Sequence, residues 1–253
     1  MPHGELLLIG TTDDRYEGDP GAIRPTADDI EYLLSEAQDL LPGLGISRDR
    51  IRYAYAGLRP LQKVKGGPEA AISRRHALVD HAENGGPRGM YSIVGGKLST
   101  FRPLAEEVAA ALGASHPRQQ QEHPVAPGWA DTLRQSGLSL QQKQHLRLYG
   151  AAIANVLSLG TQTICEHAGA ISGEVRYVAT MEEVRTLSDI LMRRTGISWA
   201  SCRALCCAET VAEIASKELG WTPDERKRQL KAFREELDFH LPTVDLLAAG
   251  APK

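Results

Sequence analysis

The chain has 253 residues, 42% of them hydrophobic and 24% charged, with a formal net charge of −3. That length and balance suit one large globular domain or two modest ones with real cores. No apolar run approaches the roughly 18 residues a membrane helix needs, and residues 6–9 are too short for a signal-peptide core. The expected location is the cytosol, with peripheral contact at the inner membrane face still compatible.

In chain order, residues 5–10 are apolar and end in Gly-Thr-Thr-Asp, a strand feeding a turn. Residues 10–20 are acidic, but they lack the glycine and final glutamate spacing of a calcium loop and read as a hydrogen-bonded turn. An amphipathic helix follows. Thr26 is its N-cap, and Ile30, Leu33, Leu34, Ala37, Leu40 and Leu41 keep a 3.6-residue rhythm until Pro42-Gly43. Residues 50–57 alternate, with Ile51, Tyr53 and Tyr55 on one face and Arg52, Ala54 and Ala56 on the other, which predicts a strand. Two more strands are expected at 71–80 and 90–94, across the turn Asn84-Gly85-Gly86-Pro87. A helix over 101–112 should stop at Gly113. Residues 1–112 are therefore expected to be mixed α+β.

Residues 113–139, rich in proline and glutamine, read as a linker. Beyond Leu140 the pattern is helical. One stripe holds Leu146, Tyr149, Ile153, Val156 and Leu157, another Val184, Leu187, Ile190 and Leu191, a third Leu205, Val211, Ile214 and Ala215. Thr222-Pro-Asp-Glu225 combines an N-cap, a proline at the first helical position and a capping-box glutamate. A small helical domain over 140–238 is expected, with a frayed tail over 239–253.

Four cysteines, Cys165, Cys202, Cys206 and Cys207, fall in stretches that read as helical. No CxxC pair occurs, and Cys206 and Cys207 should point to different helix faces. They read as buried small hydrophobes, and no metal site is expected.

Charge is distributed unevenly. Between Arg59 and Arg102 stand eight Lys/Arg and three Asp/Glu, a local +5, so the remainder carries −8. A short basic region in an acidic protein suits a small anion better than nucleic acid, or it is simply a solvated basic face. Within it, Ile93-Val94-Gly95-Gly96-Lys97-Leu98-Ser99-Thr100 is a strand running through two glycines into a helix start. Glycines admit close backbone approach, and a helix N-terminus favours a phosphate or a reduced flavin edge. The same junction also serves as a packing device. Gly57 and Pro60 bracket Arg59 at a strand end, where a guanidinium suits either phosphate or an acidic neighbour. In Ser73-Arg74-Arg75-His76 the two arginines face opposite sides, and a lone histidine such as His76 is most often structural.

Taken together, Ile9-Gly-Thr-Thr-Asp13, Gly18-Asp-Pro20, Tyr55-Ala-Gly-Leu-Arg-Pro-Leu61, Ser73-Arg74 and Gly95-Gly-Lys-Leu-Ser-Thr-Phe-Arg102 resemble the FAD-dependent glycerol-3-phosphate dehydrogenases. Glu182-Glu-Val-Arg-Thr-Leu-Ser-Asp-Ile-Leu-Met-Arg-Arg-Thr195 and Glu218-Leu-Gly-Trp221 resemble that family's C-terminal cap domain. The resemblance implies the substrate- and flavin-facing portion of a glutathione-reductase/D-amino-acid-oxidase-like flavoprotein, followed by a small all-α domain. It implies oxidation of sn-glycerol 3-phosphate to dihydroxyacetone phosphate, with hydride passing to flavin N5 and electrons to a quinone, or to O2 in the related oxidases. By the same resemblance Arg59, Arg74 and Lys97 bind substrate, Arg59 and Lys97 take part in catalysis, and Gly95, Gly96, Lys97, Leu98, Ser99 and Thr100 face the FAD ring. A homodimer is compatible with it, and no nucleic-acid partner is implied. The family's GxGxxG loop, which holds the FAD pyrophosphate, is not spelled anywhere in these residues. The chain is therefore expected to need an N-terminal FAD-binding half, or else to be an inactive remnant kept as a binding module.

Overall fold

The computed structural model describes residues 1–61, 75–114 and 128–248, the side chains of Leu246 and Ala248 apart. In chain order its elements are β1 (Pro2–His3), β2 (Leu6–Leu7), α1 (Ala27–Leu40), β3 (Ala77–Asp80), β4 (Tyr91–Val94), α2 (Phe101–Ala111), α3 (Trp129–Gln135), α4 (Leu140–Leu146), α5 (Ile153–Ser158), β5 (Thr163–Cys165), β6 (Ala170–Ile171), α6 (Ser172–Met181), α7 (Ala208–Leu219), α8 (Pro223–His240) and α9 (Val244–Ala248). The strands pair as three antiparallel hairpins, β1 with β2, β3 with β4 and β5 with β6. The chain divides into two compact units. One comprises Met1–Thr12, Arg24–Ala56 and His123–Lys253, the other Asp13–Ile23 and Gly57–Glu122.

The first unit is built on helices. Leu146, Ile153, Val156, Leu187, Ile190, Leu191, Val211 and Ala215 from the predicted stripes lie in its core, together with Ile171, Val175, Phe233 and Leu237, which no stripe named. Leu205, assigned to the third stripe, is exposed instead. Helices α5 and α6 approach closely because Gly173 has no side chain: a Cβ there would run into the carbonyl oxygens of Val156 and Gly160. Next along α6, the fully buried Glu174 accepts from the Tyr149 hydroxyl at 2.9 Å and lies 2.8 Å from His145 Nε2. Burial first, then the Glu174 charge, pushes the Tyr149 phenol far above its ordinary range. None of the three apolar stripes covers residues 172–181, so that polar group went unread in the sequence.

Helix α1 starts where expected. Thr26 Oγ1 accepts from the Asp29 N–H at 3.1 Å and the Asp29 carboxylate accepts from the Thr26 N–H at 2.9 Å, a full capping box. At α8 the box is only half made. Thr222 caps the Glu225 N–H at 3.1 Å, but the Glu225 carboxylate turns to Gln229 at 2.8 Å and to Arg228.

Five expectations are corrected. Residues 50–57 pair with no strand among the described residues. Their alternation is spent otherwise: the Tyr53 hydroxyl donates to the Trp199 carbonyl at 2.5 Å, the Tyr55 ring stands edge-on to Trp199 at 5.1 Å, and the Ala54 N–H donates to the Pro242 carbonyl at 3.1 Å. A side-chain period of two makes a strand only where a neighbouring backbone is in register. The stretch read as a linker contains α3, and the stretch read as a frayed tail contains α9, both too short to show a helical period. The strand expected over 5–10 shrinks to β2, while the one expected over 71–80 is β3, with 71–74 outside the described residues. The cysteines are not helical: Cys165 ends β5, and Cys202, Cys206 and Cys207 lie in a turn before α7. There Arg203 and Ala204 both adopt left-handed φ (53° and 60°), which no helix allows.

Candidate functional site

The sequence motifs from Arg59 to Thr100 fall in the second unit. Its frame is the β3–β4 hairpin, whose register pairs Ala77 with Val94 and Asp80 with Tyr91. The turn is set by Asp80, whose carboxylate accepts from the Ala82 N–H at 2.9 Å, and by Gly85 in the left-handed region. His81 Nε2 lies 2.7 Å from the Ser92 hydroxyl and ties the hairpin across.

This register brings the end of β4 back to the start of β3. Gly95 and Gly96 follow β4 with φ of 73° and 103°. A Cβ on Gly95 would stand 3.3 Å from the Arg75 carbonyl oxygen and 3.5 Å from that of Pro60, and one on Gly96 would stand 3.3 Å from the His76 Cβ. Both conformation and crowding therefore require glycine here. Pro60 follows Arg59 directly, so the Arg59 segment, the Arg75-His76 segment and the glycine pair converge although they are distant in sequence.

Lys97 then takes the N-cap position in extended conformation. The Thr100 N–H and hydroxyl both donate to its carbonyl at 2.9 Å, closing one turn over Leu98–Thr100 that runs into α2. The predicted strand–Gly-Gly–Lys–helix junction is thus formed. Lys97, Leu98 and Ser99 are exposed, and Leu98 retains 92% of its surface despite being apolar.

The charged groups are placed as follows. Arg59 Nη1 pairs with Asp13 Oδ2 at 2.5 Å, both side chains about half exposed (45% and 50%). A pair this open is worth only about 0.2–1 kcal/mol. His76 is nearly buried, with Nε2 2.6 Å from Glu107 Oε2 on α2. That partner fixes it as a hairpin-to-helix tie, in line with the structural reading. Arg74 lies outside the described residues. Neither Asp13 as the partner of Arg59 nor Glu107 as the partner of His76 was visible in the sequence, because neither spacing follows a local period.

The residues present fit one side of a flavin. Gly95 and Gly96 admit the Arg75, Pro60 and His76 segments, so the surface left for a flat ring is the exposed start at Lys97, Leu98 and Ser99. The N–H groups of a helix start lack intrahelical partners and carry positive partial charge, which suits a ring edge that becomes anionic. Lys97, Leu98, Ser99 and Thr100 would hold that edge, and Gly95 and Gly96 would set the backbone that leads to it. They do not supply a pyrophosphate loop.

Comparison with known proteins bears on the same residues. Residues 1–102 match the family described as "FAD dependent oxidoreductase", and residues 94–226 match the one described as "C-terminal domain of alpha-glycerophosphate oxidase". A glycerol-3-phosphate dehydrogenase of Synechocystis sp. is 29% identical over 91% of this chain and 45% of its own length. An anaerobic glycerol-3-phosphate dehydrogenase chain of Haemophilus influenzae is 30% identical over 93% of this chain and 44% of its own. The crystal structure of the Bacillus halodurans glycerol-3-phosphate dehydrogenase complexed with FAD superposes with a TM-score of 0.65 at 26% identity, over 91% of this chain and 48% of that one. The chain spans about half the length of the curated relatives it matches.

Proposed function

Since the chain belongs to the FAD-dependent oxidoreductases that carry the alpha-glycerophosphate oxidase C-terminal domain, we propose that it provides the substrate- and flavin-facing part of a glycerol-3-phosphate dehydrogenase. The reaction is oxidation of sn-glycerol 3-phosphate to dihydroxyacetone phosphate. When bound, FAD supplies the hydride acceptor, at N5, and the electrons then leave to a quinone. The observation that carries this reading is the convergence of the Arg59–Pro60 segment, Arg75-His76 and the Gly95-Gly96 cradle at one helix start.

Each residue has a separable role. Arg59 exchanges its exposed Asp13 partner for the substrate phosphate, where a planar fork binds two oxygens at once. Lys97, at the mouth of the glycine cradle, contributes positive charge beside the reacting carbon and steadies the oxygen that loses its proton. Arg74 is assigned to the phosphate by resemblance alone. Residues 140–238 act as the helical cap domain. Exposed apolar side chains in the second unit, Leu58, Ile93, Leu98 and Phe101, support packing against an FAD-binding segment that supplies the pyrophosphate loop.

The test is a fusion of this chain behind the N-terminal half of the Synechocystis dehydrogenase, with flavin absorbance as the folding control. Dye reduction that depends on glycerol 3-phosphate is expected. Arg59→Ala should raise KM about tenfold or more, the scale of one lost charged hydrogen bond, and Lys97→Ala should lower kcat by a similar factor. A flavin-loaded fusion with unchanged kinetics in both variants defeats the assignment. Hydrogen peroxide formed in step with substrate would move the acceptor from quinone to O2.

A further inference from the structure

We propose that Tyr53, Tyr55 and Trp199 are positioning residues for Arg59: they fasten the segment leading to this arginine onto the helical unit and so pre-set it for the substrate phosphate. The proposal rests on the substrate role given above to Arg59. It assigns the helical unit a part in glycerol 3-phosphate binding that needs no contact with the ligand.

Residues 50–57 belong to no strand among the described residues, so no ladder fixes them. Two side chains and one amide do so instead, all within one compact unit. The Tyr53 hydroxyl donates to the Trp199 carbonyl at 2.5 Å, and its ring meets the indole edge-on at 6.2 Å. The Ala54 N–H donates to the Pro242 carbonyl at 3.1 Å. Tyr55 meets the same indole edge-on, at 5.1 Å with the ring planes 88° apart. The indole is itself held, its Nε1 donating to the Met192 carbonyl at 3.2 Å. Three consecutive residues are thus tied to two separate places on the helical unit.

Apolar packing alone does not account for these ties. Tyr55 leaves 45% of its surface exposed, so burial gains little from it. A phenylalanine at position 53 would bury the same ring, and the hydroxyl adds a directed bond. Burial, then the Tyr55 phenol, push the Tyr53 hydroxyl up to about 12 against a downward pull from Arg203, so it remains a donor at neutral pH.

What the ties achieve follows from chain length. Arg59 comes four residues after Tyr55, so their Cα atoms can be at most about 14 Å apart. Beyond Arg59 the chain is fixed again. A Cβ on Gly95 would stand 3.5 Å from the Pro60 carbonyl oxygen, and the Leu61 N–H donates to the Arg59 carbonyl at 2.8 Å. Pro60 also confines the Arg59 backbone to extended conformations. On a free loop this arginine would have to be ordered at the moment the substrate binds, which weakens binding. With both flanks pinned the ordering is completed during folding, and the guanidinium meets the anion already placed.

The test uses the flavin-loaded fusion described above, with glycerol 3-phosphate as the varied substrate. Tyr53→Phe keeps the ring and removes the bond. It should raise KM about threefold while kcat stays within about twofold of wild type. Trp199→Leu removes the surface that both tyrosines meet and should raise KM about tenfold. Neither change should raise KM further in a chain that already carries Arg59→Ala. A general loosening of the protein would raise it in both backgrounds, and equal rises in the two overturn the proposal. If Arg59→Ala raises KM but Tyr53→Phe and Trp199→Leu do not, the positioning role falls while the substrate role of Arg59 stands. If Arg59→Ala itself leaves KM unchanged, the substrate role falls and takes the proposal with it. A second measurement needs no flavin. In the 253-residue chain, hydrogen exchange at the Ala54 amide should be faster in both variants than in wild type, with α8 still protected. Equal exchange at Ala54 in all three proteins also overturns the proposal.

Discussion

The helical unit and the unit carrying Arg59 and Lys97 keep their apolar side chains in different places. In the first, Phe233, Leu146, Leu187, Leu191 and Val211 are wholly buried; in the second, no described residue is buried, and Phe101 stands 61% exposed. The difference separates two ways in which a sequence specifies structure. The helical unit is held by apolar area, which accumulates over many residues and tolerates apolar exchanges of similar volume. The motif-bearing unit is held by a few local demands: positive φ at Gly95 and Gly96, one capped hairpin turn, one histidine–glutamate tie. Its motifs are more specific than those of the helical unit, and its core is thinner.

That contrast can be broken by substitution. Phe233→Ala should cost about 4 kcal/mol, the range for emptying a buried phenylalanine site, while Phe101→Ala should stay within about 1 kcal/mol. Chemical denaturation of the two variants measures both, and equal losses would erase the distinction. Gly173→Ala should cost about 3 kcal/mol, because the backbone carbonyls of Val156 and Gly160 cannot move aside as a side chain can. Thr222→Ala, which removes the cap on α8, should lower stability by about 1 kcal/mol.

A smaller effect is set by pH. Burial alone would raise the Asp189 carboxyl, but the N–H groups of Arg185 and Thr186, the Thr186 side chain and nearby Arg193 together hold it below its ordinary 3.8. A carboxylate whose folded pKa is depressed stabilises the fold above the unfolded value, and that contribution is lost as pH falls through the folded value. Wild type should therefore lose stability below about pH 4 more steeply than Asp189→Asn, as acid titrations of thermal midpoints would reveal. Identical acid slopes would remove Asp189 from the account.

How much was legible follows from the same contrast. Thr26 with the Ile30-to-Leu41 rhythm, and Thr222-Pro223, announced α1 and α8 because caps and periods are local properties. Gly95-Gly96-Lys97 announced its junction because only glycine tolerates that backbone. Tyr53 and Tyr55 alternate as a strand would, yet the partner that captures them is Trp199, far along the chain. Glu174 went unread because none of the three stripes covers α6, and its partners His145 and Tyr149 lie about 25–29 residues earlier. The cysteines were misplaced on helices because nothing local signals two successive left-handed L-residues at Arg203 and Ala204. Arg59 and Asp13 show the general limit: each is readable as a charge, but their pairing belongs to the fold.

The central claim is that these residues supply the ring- and substrate-facing side of a flavoenzyme site and not its pyrophosphate side. Titrating the purified 253-residue chain with FAD, followed by gel filtration and a glycerol 3-phosphate dye assay, tests it most directly. The expected result is flavin that separates from the protein on the column and no turnover. A yellow protein that keeps one FAD per chain and reduces the dye would contradict it.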